Sequence, residues 1–303
     1  MSHNSPDFPS DGDAADEQGP LRAPSLSGTQ DAAAGDPTSQ GPSAATSSRT
    51  ISSKNTAVPP AVVAQHISVR GDQGPVYGPL DVTIPGEGLT ILSGRGGSGR
   101  TALALTISGR MKSETGSLEV LGFTERNQIR QHVAIAGVEE IDQLDRDVPL
   151  RLVLTEHRAW SRLWISPRKK ADQDYYESIC RPVFGKRDLP PIDAYVGQIN
   201  SLDRILIRIS LALAPANHEE IGMLVMDDLE QVHEFEDRMV LLDILCHLAQ
   251  SIPVVVNAVN PLPAGLLNDY TQIELFTDEA HIQPENVGAN LDRIRSIPKE
   301  LHR

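Results

Sequence analysis

The chain has 303 residues, of which 27 are Lys or Arg and 41 are Asp or Glu, for a formal net charge of −14. This balance argues against a nucleic-acid or anionic-membrane surface as the main partner, because both are bound through basic patches. Two cysteines without metal-type spacing, Cys180 and Cys246, read as reduced thiols of a cytosolic protein. No apolar run approaches the ~20 residues of a bilayer span, and the start, MSHNSPDFPSDGD, lacks the basic and apolar segments of a signal peptide.

Residues 1–57 are Ser, Gly, Pro, Ala, Asp and Gln with almost no large apolar side chains. Such a composition cannot bury enough surface to offset its ordering entropy and predicts a disordered tail. An ordered region is predicted over 60–282. Its first runs, VVAQHISVR (62–70), LDVTI (80–84) and LTILSG (89–94), are β-branched, bounded by Gly and Pro, and predicted as strands. RTALALTISGRM (100–111) has helical spacing, and SLEVLGF (117–123) and HVAIAG (132–137) return to strand character. Residues 147–187 form a mainly helical block, and SLDRILIRISLALA (201–214) is a further helix. GMLVMDD (222–228) and PVVVNAV (253–259) are buried strands flanking an amphipathic helix over 234–250, and QIELF (272–276) closes the sheet. On that helix Phe235, Met239, Leu242 and Leu245 or Leu248 share one stripe, expected to face the sheet. Strands alternating with helices predict an α/β domain with a mainly parallel sheet and an antiparallel edge. Residues 283–303 read as a polar tail.

The stretch SGRGGSGRT (93–101) follows a strand and opens a helix. In that setting backbone N–H groups and a helix N-terminus converge on an anion. Gly94, Gly96, Gly97, Ser98, Gly99, Arg100 and Thr101 are therefore the candidate nucleotide-binding residues, with the glycines permitting close backbone approach to phosphate oxygens. MLVMDD delivers two carboxylates to the C-terminal end of a buried strand, the edge where ligands sit in open α/β sheets. Thr101 and Asp227 are the candidate Mg²⁺ ligands, and Asp228 is the candidate catalytic group that positions an attacking water.

With these two stretches in hand, residues 60–280 resemble the nucleotide-binding domain of ATP-binding cassette (ABC) transporters. The resemblance rests on GPLDVTIPGEGLTILSGRGGSGRTALALTISGRMKSETGSLEVLGF and SLDRILIRISLALAPANHEEIGMLVMDDLE. It implies a P-loop NTPase of ABC type, with a helical subdomain inserted at about 147–200. It further implies ATP and Mg²⁺ as ligands, a separately encoded transmembrane protein as partner, and a homodimer, all at the cytoplasmic face of a membrane. Tyr77 falls where the family stacks an aromatic ring on adenine, and it can equally be a tyrosine filling a turn. The departures fall on the chemistry. Arg100 replaces the loop lysine, and INSLD (199–203) replaces the glycine-rich signature, with Ser201 and Leu202 at its glycines. Asp228 replaces a glutamate. The expected glutamine falls near Glu139 or Glu140, with Gln143 the nearest one. Val259 or Asn260 stands at the switch histidine, and Glu234 at the loop aspartate. Nucleotide binding is thus expected to be more secure than hydrolysis. A non-hydrolysing regulator or scaffold is the alternative; a GTPase is disfavoured by the absence of an N-K-x-D passage, and a kinase by the placement of GMLVMDD, which fits the ABC order better.

Three further features fit ordinary roles. RGD (70–72) is read as a turn, and RKK (168–170) as a solvated charge run. Trp160 and Trp164 share a helix face, read as core packing ahead of partner contact.

Overall fold

The computed structural model describes residues 58–72, 74–160, 169–215 and 219–275. The expected tails at 1–57 and 283–303, and Trp164, lie outside these residues. Strands β1 (Val62–Gly71) and β2 (Gly74–Ile84) form a long antiparallel hairpin. The RGD stretch falls at its turn, as composition predicts. Strand β3 (Leu89–Ser93) runs into the glycine loop and helix α1 (Arg100–Ile107), and β4 (Thr115–Val120) returns to pair with β1. These antiparallel strands form one small sheet in the order β2-β1-β4.

Helix α2 (Arg126–His132), which the sequence reading does not anticipate, leads into β5 (Val133–Ala136) and the short helix α3 (Glu139–Asp142). A helical block follows, with α4 (Leu150–Trp160), α5 (Gln173–Phe184) and α6 (Ser201–Leu213). Strand β6 (Met223–Met226), helix α7 (Phe235–Leu248), β7 (Val254–Ala258) and β8 (Thr271–Glu274) complete the described chain. The main sheet is parallel throughout, in the order β5-β6-β7-β3-β8. Parallel strands covered on both faces read as continuous apolar runs, which is why LTILS, MLVM and VVVNA were legible as strands.

Successive side chains of these strands point to opposite faces and so feed two separate cores. Leu224, Met226, Val254 and Val256 join the core beneath the helical block. Met223, Val225, Val255 and Leu92 join the core shared with α1 and the antiparallel sheet. Two expected core residues are not in either layer. Trp160 ends α4 with 81% of its surface exposed, because that helix buries Leu150 and Leu154 instead. Phe235 opens α7 at 63% exposed; Met239 packs against the core half-buried, and Leu241, Leu242 and Leu245 are buried in it. A helix's first turn stands clear of the sheet when the chain enters it from a surface loop, so periodicity alone overestimates burial there.

Candidate functional site

The loop begins where β3 ends. The Gly94 N–H donates to the Ala258 carbonyl of β7 at 3.1 Å, and the Ser98 N–H donates to the Arg95 carbonyl at 3.0 Å, closing a turn. Gly97 and Gly99 have positive φ, at 79° and 73°. Gly99 is required twice over: a Cβ there would lie 2.5 Å from the Val76 carbonyl oxygen and 2.6 Å from the Tyr77 Cβ. A Cβ at Gly94 would lie 2.6 Å from the Ser98 Oγ. At Gly96 a Cβ meets nothing within 4 Å, so the mouth of the loop is open on that side. Helix α1 then starts with no acidic residue in its first turn and no side-chain cap. Its N-terminal dipole therefore faces the loop without a competing carboxylate of its own.

Asp227 is the junction between loop and sheet. It is 5% exposed at the end of β6, and its N–H donates to the Ala136 carbonyl at 2.8 Å. The Thr101 hydroxyl donates to one carboxylate oxygen, Oδ2, at 2.7 Å. The Asn257 amide donates to the other, Oδ1, at 2.6 Å, and also to the Arg100 carbonyl at 2.9 Å. The sequence reading brought Thr101 and Asp227 together but missed Asn257. The available signal was a lone amide inside the apolar run VVVNAV, since a fully buried polar side chain must find partners. Arg100 folds back, its Nη1 donating to the Gly94 carbonyl at 2.6 Å. Asp228 follows with φ at 57°. Its side chain lines the same cleft as Arg100, Thr101 and Asp227.

That cleft has a volume of about 650 Å³, inside the ~300–1,000 Å³ range of small-molecule sites. Glu139, Gln143, Ser201 and Glu230 also line it. The Val259 N–H donates to Glu230 Oε1 at 2.8 Å, so a backbone contact occupies the place where the resemblance expects a histidine. INSLD acts as a helix start: Asn200 caps α6 by accepting from the Asp203 N–H at 2.7 Å, and Leu202 is buried in the core. The Ser201 hydroxyl reaches Glu234 Oε2 at 3.3 Å.

A second network, also missed, fixes the far wall. Arg208 of α6 donates through Nη2 and Nε to Asp142, at 2.6 and 2.9 Å, and through Nη1 to Gln231 at 2.8 Å. Gln231 donates in turn to the carbonyls of Gly137 and Asp227.

Tyr77 is the one expected site residue that the structure places elsewhere. Its ring is 2% exposed in the core under the antiparallel sheet, and its hydroxyl donates to Thr106 Oγ1 at 2.8 Å. Burial pushes its phenol pKa up. A ring held there presents no face to a base, and Tyr77 fills the core from within β2, opposite Val69, rather than a turn.

The remaining expected residues suit a Mg²⁺-bound phosphate chain. The Ser98 hydroxyl is buried in the loop with no hydrogen-bond partner, a donor position suited to a ligand oxygen. Thr101 and Asp227 are the oxygen donors that could hold the metal.

No family model matches the chain, and no curated protein does. Solved structures do. CbiO1 from Clostridium perfringens, part of the ABC transporter complex CbiONQ, aligns over 78% of this chain and 94% of its own, at 12% identity and a TM-score of 0.56. An ABC transporter ATP-binding protein from Pyrococcus furiosus aligns over 69% and 96%, at 16% identity and 0.51. A metal-chelate type ABC transporter aligns over 72% and 80%, at 13% identity and 0.52. At such identities the likeness speaks for the fold alone. The chain has the P-loop fold of ABC ATP-binding domains, with a five-stranded parallel sheet and a separate antiparallel one.

Proposed function

We propose that the chain is an ATP-binding subunit of ABC type, which binds ATP with Mg²⁺ at the 93–101 loop. It couples binding, or slow hydrolysis, to a separately encoded membrane protein. The observation that carries this reading is the junction at Asp227, where Thr101 and Asn257 hold both carboxylate oxygens beside the loop. The loop amides and the N-terminus of α1 bind the phosphates, and Ser98 adds a hydroxyl. Thr101 and Asp227 would hold Mg²⁺, which when bound would supply charge neutralisation at the phosphate oxygens.

Asp228 orients a water by accepting its proton-bearing hydrogen bond. It is one methylene shorter than the glutamate of the resemblance, and a misplacement of ~1 Å costs on the order of 10²-fold in rate. Arg100 keeps the positive charge of the loop but as a planar fork, already engaged on the Gly94 carbonyl. Val259 stands at the histidine position of the resemblance with its N–H on Glu230, and the histidine that lines the cleft is His233. Binding is then tight relative to a slow turnover. No described helix is long and apolar enough to cross a membrane, which leaves transport to the partner; a homodimer at the cytoplasmic face accompanies that role.

Calorimetric titration of the full chain with MgATP and MgGTP tests the reading, followed by phosphate release with and without a co-expressed membrane partner. MgATP is expected to bind in preference to MgGTP, with slow release that the partner accelerates. Absence of binding by either nucleotide at millimolar concentration refutes it.

A further inference from the structure

Two basic side chains of the cleft have no role in that function: Arg146 and Arg204. Both line it together with Arg100, Thr101 and Asp228. Arg204 stands in the first turn of α6, and its Nη1 donates to the Ile199 carbonyl. Arg146 is pinned close by through its backbone, whose carbonyl accepts the Gly197 N–H at 2.9 Å in the turn Val196–Gln198 just before α6. The turn before α6 and the start of α6 thus bring Arg146 and Arg204 to the same cleft.

Three of the carboxylates nearby are engaged with other groups. Asp142 takes Arg208, Asp227 takes Thr101 and Asn257, and one oxygen of Glu230 takes the Val259 N–H. Glu139 and Asp228 also line the cleft. Yet among the described residues Arg100, Arg146 and Arg204 form no ion pair. The cleft lining sets four arginines, Arg100, Arg146, Arg204 and Arg208, against four carboxylates, Glu139, Asp227, Asp228 and Glu230, and of these arginines only Arg208 is ion-paired among the described residues. The crowding is felt at Arg204, whose pKa is lowered by burial first and then by Arg146 and Arg208. Like charges held together at this range repel, and an anion between them removes the cost. Guanidinium forks match phosphate oxygens in pairs.

We propose that Arg146 and Arg204 form a second anion subsite within the same chain. It takes the terminal phosphate of a nucleoside triphosphate whose inner phosphates lie on the 93–101 loop. The inference rests on the nucleotide reading above and adds to it: discrimination of tri- from diphosphate is built into a single copy. INSLD has lost the glycines that would offer backbone to a nucleotide from a second copy, and α6 instead places Arg204 in the cleft that Arg100 and Thr101 of the same chain line.

The test is calorimetric titration of MgATP and MgADP into the full chain, at a concentration where sedimentation shows monomer. The wild type is expected to bind MgATP at least about tenfold more tightly than MgADP. Arg146→Ala combined with Arg204→Ala is expected to weaken MgATP by about tenfold and leave MgADP within about twofold, so the preference collapses. Arg204 also ties down Ile199, so Arg146→Ala alone serves as the variant that spares the fold, with about a threefold loss confined to MgATP. Preference retained in both variants overturns the subsite, as does a wild type with no preference, or one whose preference appears only in a dimer. In those cases MgADP still binds and the loop reading stands. If neither nucleotide binds the wild type, both proposals fall.

Discussion

The Arg208 network offers a quantitative prediction about what fixes the helical block to the sheet. The Arg208 and Asp142 side chains are only 11% and 18% exposed and make a two-pronged ion pair at 2.6 and 2.9 Å. A third bond runs to Gln231 at 2.8 Å. Arg208→Ala removes all three donors and leaves Asp142 with only the Gly137 N–H, at 2.9 Å. Breaking a buried pair from one side costs about 3–5 kcal/mol, because a desolvated charge remains. The residual exposure and the surviving Gly137 bond place the loss at the lower end, about 3 kcal/mol. For a domain of this size about 2–4 °C of Tm accompanies each kcal/mol, so a drop of about 6–12 °C is expected. Replacing both partners by apolar residues, Arg208→Met with Asp142→Leu, removes the uncompensated charge and recovers most of it. Urea unfolding of the two single variants and the double variant closes a double-mutant cycle. A single-variant loss below about 1 kcal/mol, or coupling near zero in the cycle, refutes the pair as a fastening between α6 and the segment after β5.

Gly99→Ala should destabilise by about 2–4 kcal/mol, because the residue has φ of 73° and its Cβ would press on the Val76 backbone; chemical denaturation measures this, and a neutral result refutes the packing. Asp172 caps α5, and its carboxyl is held down to about 2, first by the Tyr175 N–H and then by Lys169. A depressed folded value contributes stability above the ordinary carboxylate range that is lost as pH falls toward about 2. Asp172→Asn, which keeps the cap, should therefore show a shallower fall of Tm between pH 4 and 2 than the wild type. Burial pushes the Cys180 thiol up to about 12, and its side chain is fully enclosed. A disulfide reagent at pH 8 should label it only on unfolding, and labelling in the native state would contradict the described core.

The fold was largely legible because its central strands are buried on both faces. LTILS, MLVM and VVVNA are mainly apolar runs, and glycines and acids lie near their ends. The loop and the Thr101–Asp227 pair were legible for the same reason: local sequence places them at strand ends on one sheet edge. What failed depended on register and on contacts distant in sequence. Tyr77 lies near the loop in the chain, but its pairing with Val69 across the hairpin turns the ring into the core. Trp160 and Phe235 look like core by periodicity, yet each occupies a helix end that extends past the packed layer. Arg208 and Asn257 carried a signal in retrospect. Each is a polar residue inside an apolar run, ILIRIS and VVVNA, and each proved to be a hub whose partners lie from 23 to 157 residues away.

Strand β7 has a mechanical position that none of the individual bonds conveys. Its Ala258 carbonyl holds the first residue of the loop, its Asn257 amide holds the carbonyl of Arg100 at the other end, and Val259 directly follows, held by Glu230. Two consecutive residues at the end of one strand therefore grip both ends of the loop, and the residue that follows them is held by Glu230. The loop behaves as a hoop clamped to a single rail, and any strain placed on it by a ligand is delivered to that rail.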